Sequence, residues 1–119
     1  ICRAGHNKAI VGRNGGISVL DGAGIGLGLE RGPVFEKTLQ EIEYPLDPDS
    51  LVIFYSDGLS ETMNENDSEF GEESICRIIE THRRQTAGQL QDQLVGAARG
   101  FRGGADQHDD ITLVVVKSC

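Results

Sequence analysis

Apolar residues along the chain fall into short blocks, and their spacing changes character partway. Residues 8–13 (KAIVGR) and 17–21 (ISVLD) are brief apolar runs separated by Asn14-Gly15-Gly16. Asn-Gly accepts positive φ at both turn positions, so these runs predict a β-hairpin. Residues 22–28 (GAGIGLG) are glycine-rich and predict a loop. Residues 34–44 predict a strand, with a slip of alternation between Leu39 and Ile42 that predicts a bulge. Pro45, Asp47, Pro48, Asp49 and Ser50 predict a turn.

The segment 51–58 (LVIFYSDG) follows. Its unbroken apolar start predicts a strand buried on both faces, ending at Ser56-Asp57-Gly58. Periodicity then becomes helical. Ile75, Ile78, Ile79 and His82 share one face of a helix over 72–84. Thr86 and Gln89 have the spacing of a capping box that opens a second helix. Its apolar stripe is Leu90, Leu94, Ala97, Ala98 and Phe101, and Gly103-Gly104 ends it. A polar loop with Asp106, His108, Asp109 and Asp110 precedes a final apolar run, Ile111 to Val116, which predicts another buried strand. Strands joined by tight turns, then two helices, then a strand give an α+β domain with a largely antiparallel sheet.

Composition narrows the function. The chain has 119 residues, enough for one core, and a net charge of −8. That acidity argues against a partner bound through a phosphate backbone, so no nucleic acid is expected. No apolar run approaches the roughly 18 residues that span a bilayer, and no membrane contact is expected. No basic stretch followed by an apolar one opens the sequence, so no signal peptide is expected. Three cysteines without a close pair fit a reducing, cytoplasmic setting. The imbalance sits in residues 35–76, which carry a net −11, while the flanking segments are slightly basic. Much of that stretch reads as a solvated acidic face.

Two acidic positions differ from the rest by their neighbours. Asp57 directly follows one apolar strand, and Asp109 and Asp110 directly precede another. If those strands pair antiparallel, the end of one lies beside the start of the other and the carboxylates meet. Such carboxylates repel unless a proton, an arginine or a cation compensates, and hard oxygen donors favour Mg²⁺ or Mn²⁺ over Zn²⁺. The alternative at this point is local: Asp57 in an Asp-Gly turn, Asp109 bonding nearby amides. Other motifs lead nowhere. The glycines at 22, 24, 26 and 28 miss the dinucleotide fingerprint, and Asn64–Ile75 lacks the glycine and terminal glutamate of a calcium loop. Cys2 and His6 lack partners for zinc. His82 belongs to a helix face, His108 to a polar loop, and Cys76 to a helix without an activating base.

Five segments in order carry a resemblance: Ala4-Gly5-His6-Asn7, Leu27-Gly28-Leu29, Phe54 to Glu61 (FYSDGLSE), Phe70-Gly71 and Asp109 to Val116 (DDITLVVV). The chain resembles the C-terminal half of the metal-dependent, type 2C protein serine/threonine phosphatases, in their bacterial SpoIIE-like branch. The resemblance implies part of a four-layer αββα sandwich, with residues 1–119 as the C-terminal portion of one domain. The N-terminal half, with its own Asp-Gly metal ligand, would lie outside the chain. It implies Asp57 and Asp109 as metal ligands, Gly58 and Asp110 beside them, and two Mn²⁺ or Mg²⁺ ions in the complete domain. No side-chain nucleophile and no covalent intermediate are implied.

The implied substrate is phosphoserine or phosphothreonine on a protein, such as an anti-sigma-factor antagonist. The fragment alone would bind metal weakly, and dimerisation through an uncovered sheet edge is expected. Two other classes stay open: a phosphatase-like module that docks a regulatory partner without hydrolysis, and a structural fragment in which both aspartates only form turns.

Overall fold

The computed structural model of the chain describes residues 1–13 and 15–119. Those residues form strands β1 (Ala9–Arg13) and β2 (Gly16–Leu20), helix α1 (Pro33–Thr38), strand β3 (Leu51–Tyr55), helices α2 (Asp57–Ser60), α3 (Gly71–His82) and α4 (Ala87–Arg102), and strand β4 (Leu113–Lys117). The strands make one antiparallel sheet in the order β2-β1-β3-β4. β1 and β2 form the predicted hairpin, with Arg13 opposite Gly16. The predicted turn residue Asn14 lies outside the described residues.

β3 runs through the middle of the sheet, which accounts for its unbroken apolar sequence. Leu51, Val52, Ile53 and Tyr55 are buried and Phe54 is half-buried. One row across the sheet reads Val19, Ile10, Ile53, Val115. It faces Ile75 and Ile79 of α3 and Leu90, Leu94 and Ala98 of α4 in a single apolar core. Phe70 and Phe101 close one end of that core, with ring centroids 5.4 Å apart at a tilt of 58°. Helices α3 and α4 thus supply one helical layer over one sheet, an α+β arrangement. Among the described residues no helix is long and apolar enough to cross a membrane.

Helix ends follow the sequence closely. The capping box of α4 forms as predicted: Thr86 accepts from the Gln89 amide, and the Gln89 side chain accepts from the Thr86 amide. Gly103 takes a positive φ of 60° at the other end, and its N–H donates to the Arg99 carbonyl.

Three expectations are corrected. Residues 34–44 are not a strand with a bulge. Pro33 opens the short helix α1, and the Thr38 hydroxyl donates back to the Val34 carbonyl at 3.0 Å. The chain turns extended at Leu39, so the slip in alternation marks a change of backbone state. β3 stops at Tyr55, and Asp57 begins α2 instead of ending the strand. Finally, β4 is shorter than predicted and is not buried on both faces. It is an edge strand, with Val114 49% and Val116 40% exposed.

A polar contact ties β3 to α3. The Tyr55 hydroxyl donates to Glu72 Oε2 at 2.9 Å. Burial first, then the Glu72 carboxylate, holds the phenol well above its ordinary pKa of 10.0. The folded state therefore keeps this proton more tightly than the unfolded chain. Its stabilising effect is complete below about pH 10 and is lost as pH rises beyond it.

Leu94→Ala is expected to cost about 2–5 kcal/mol in a urea melt, whereas Val114→Thr costs under about 1 kcal/mol. Tyr55→Phe should lower stability by about 1 kcal/mol at neutral pH and flatten the fall in stability above pH 10, read from melts across that range.

Candidate metal-binding site

The antiparallel pairing of β3 with β4 sets Tyr55 opposite Leu113. The residues after β3 and those before β4 therefore leave the sheet on the same side. The Ser56 N–H continues the ladder, donating to the Thr112 carbonyl at 2.9 Å. Ser56 stands at the N-cap position of α2 yet makes no side-chain cap. Its hydroxyl is committed across the gap instead, donating to the Asp110 carbonyl at 3.0 Å and accepting from the Thr112 N–H at 2.9 Å. One serine thus clamps the loop that carries Asp109 and Asp110.

Gly58 completes the clamp by lacking a side chain. A Cβ there would lie 2.8 Å from the Asp110 carbonyl carbon and 3.4 Å from that of Asp109, and it would run into the Asp110 oxygen. Behind it, Leu59 is fully buried, and the Thr62 hydroxyl donates to the Gly58 carbonyl at 2.7 Å. The turn is therefore held from both sides.

Asp57 and Asp109 are both exposed at this junction. One oxygen of each is engaged locally. Asp57 Oδ1 accepts from the Gly58 N–H at 3.1 Å, and Asp109 Oδ1 accepts from the Asp110 N–H at 2.7 Å. Both parts of the local alternative are thus present, but neither uses up its carboxylate. Among the described residues no donor reaches the second oxygen of either. Asp110 contributes its main-chain carbonyl to the clamp and leaves its side chain exposed. A small cavity of about 60 Å³ adjoins the junction, lined by Gly58, Glu61, Arg102, Gln107, His108 and Asp109 among others.

The donor set suits a hard divalent cation in kind: carboxylate oxygens, at the surface, with lone pairs to spare. In number it is short. Among the described residues no three His, Cys, Asp or Glu side chains gather where they could hold an ion. Asp57 and Asp109 can supply part of the roughly six oxygens such an ion takes, the rest coming from water or from other groups.

Other sequence candidates stand elsewhere. His6 is exposed, and Cys2 is exposed and free. His82 closes α3. Cys76 is half-buried in α3, where burial and then Glu72 push its thiol pKa up, the opposite of an activated nucleophile. His108 is exposed on the cavity wall. The sequence reading gave no role to Ser56, Glu61, Arg102 or Gln107. In the sequence Ser56 reads only as part of the strand end at Ser56-Asp57-Gly58, because its partners lie far along the chain.

The same fold occurs in solved phosphatase domains. The chain is similar to the SiaA-PP2C domain of Pseudomonas aeruginosa, with a TM-score of 0.76 at 22% identity over 91% of this chain and 41% of that one. It is similar to the phosphatase domain of the cell fate determinant SpoIIE from Bacillus subtilis (manganese-presoaked), with a TM-score of 0.70 at 18% identity over 98% of this chain and 49% of that one. A longer SpoIIE structure, the PP2C phosphatase domain with a fragment of the regulatory domain, gives a TM-score of 0.76 at 20% identity. The chain thus spans less than half the length of each of these structures. Its fold is of the PP2C phosphatase type. The family model for Stage II sporulation protein E (SpoIIE) matches residues 1–118, and the chain belongs to that family. No curated protein matches it in sequence.

Ser56→Ala is expected to cost about 1–3 kcal/mol, because the Asp110 carbonyl and Thr112 amide both lose a partner. Gly58→Ala should cost a similar amount, roughly 1–3 kcal/mol, by overpacking. Both should speed amide exchange at Thr112, and unchanged exchange would show that the clamp does not hold the loop.

Proposed function

We propose that the chain is the C-terminal portion of a metal-dependent protein serine/threonine phosphatase domain, cytoplasmic, acting on a phosphorylated regulatory protein such as an anti-sigma-factor antagonist. The observation that carries this is the interlock of Ser56-Asp57-Gly58 with Asp109-Asp110. It presents two aspartates, each with an unpartnered oxygen, on a rigid junction between adjacent strand ends. Membership of the SpoIIE family and the PP2C-type fold support the same reading.

In this reading Asp57 and Asp109 hold Mn²⁺ or Mg²⁺, and Gly58 and Ser56 keep their backbones in register. When bound, a divalent ion acidifies water for attack on phosphorus and offsets charge on the phosphoryl oxygens. The chain's part is to hold its acidic oxygens fixed, so that little reorganisation accompanies the reaction. Cys76 is not an activated nucleophile, since burial pushes its thiol pKa up. A second copy pairing along the open edge of β4 is the oligomer this reading favours.

The competing reading is a module that docks a phosphoprotein without turnover.

The test uses the full-length protein with Mn²⁺ and either p-nitrophenyl phosphate or a phosphoserine peptide. Wild type is expected to release phosphate and to stop when the metal is chelated. Asp57→Asn and Asp109→Asn are each expected to lower the rate at least about a hundredfold, roughly 2.7 kcal/mol. Near-normal turnover by either variant would refute the assignment. Peptide binding with no turnover by wild type would favour the docking module.

A further inference from the structure

We propose that Arg102 and Gln107 are positioning residues that fix the main chain of Asp109 and thereby set how tightly the acidic pair holds a divalent cation. The inference deepens the metal assignment above and rests on it. The Arg102 guanidinium, in the last turn of α4, donates through Nη1 to Gln107 Oε1 at 2.8 Å. The Gln107 side-chain amide in turn donates through Nε2 to the Asp109 carbonyl at 2.9 Å. An amide with both ends engaged has a single orientation, so the two links act as one strut. Its base is firm, because Leu90, Leu94 and Ala98 anchor α4 with no exposed surface.

Two features argue that the strut is more than surface decoration. Gln107 is exposed, yet both ends of its amide are engaged, one of them by a charged donor. Arg102 is half-buried, with its Nε shut off from solvent and without an acceptor among the described residues. Its charge suits a helix C-terminus, yet the guanidinium reaches over to Gln107. The strut enters from the side opposite the Ser56 clamp in chain order. Ser56 holds Asp110 and Thr112, after the aspartate, and Gln107 sits two residues before it. The Asp109 main chain is therefore held at its own carbonyl and through the residues that follow, while its carboxylate stays free on one oxygen. Groups that orient a metal ligand in this way are commonly worth about ten- to a hundredfold in metal affinity.

Calorimetric titration of the full-length protein with Mn²⁺ tests this, with Asp109→Asn as the reference variant. Gln107→Met and Arg102→Met are each expected to weaken Mn²⁺ binding at least about tenfold, and the double variant to be no weaker than either alone. Arg102→Lys, which can still donate to Gln107, should recover most of the affinity. If a methionine variant fails to fold, Gln107→Asn, too short to reach both partners, is held to the same threshold. Affinity within about twofold of wild type in the Gln107 variant, while Asp109→Asn loses binding, overturns the strut alone. Wild-type binding by Asp109→Asn overturns the metal assignment and the strut with it.

Discussion

The antiparallel pairing of β3 with β4 is the constraint on which the rest depends. The two strands are joined by a long excursion through α2, α3 and α4. Their register, with Tyr55 opposite Leu113, decides which loops become neighbours. A one-residue slip of β4 would turn Val115 away from the helices and break the core row. The burial that fixes this register therefore also fixes the acidic junction. Fold and candidate chemistry share one cause.

The helical layer contributes to the junction indirectly. α4 packs beside β4, and Leu90, Leu94 and Ala98 bury it in the core, so the point where its last turn releases the chain is set by the core. From there only a short polar loop leads to Asp109. α2 acts from the other side: Leu59 drops into the core one residue after Gly58 and draws the Asp57 turn down with it. Asp57 is thus carried on backbone anchored two residues on by the fully buried Leu59, and Asp109 stands two residues before the partly buried Ile111.

Local signals for the two long helices and for β3 were reliable. Thr86 and Gln89 form their capping box, the α3 and α4 stripes face the sheet, and LVIFY is the central strand. What the sequence left out is non-local. LVVV looks as buried as LVIFY, yet β4 has one neighbouring strand and β3 has two, a difference written in the topology alone. Residues 34–44 misled because Pro33 and the back-bonding Thr38 favour a turn of helix that buries nothing. That the loop after β3 lies beside the loop before β4 could be inferred once two apolar strands were assumed to pair. The bridge from Ser56 to Asp110 and Thr112 could not, since it joins partners more than fifty positions apart.

Gly58 limits how such a junction can diverge. Most surface turns accept many residues, so sequence drift can tune them gradually. Here the space for even a methyl group is taken by the opposite main chain. Change at this junction must therefore proceed through residues around the turn, because a side chain at position 58 would push the two loops apart.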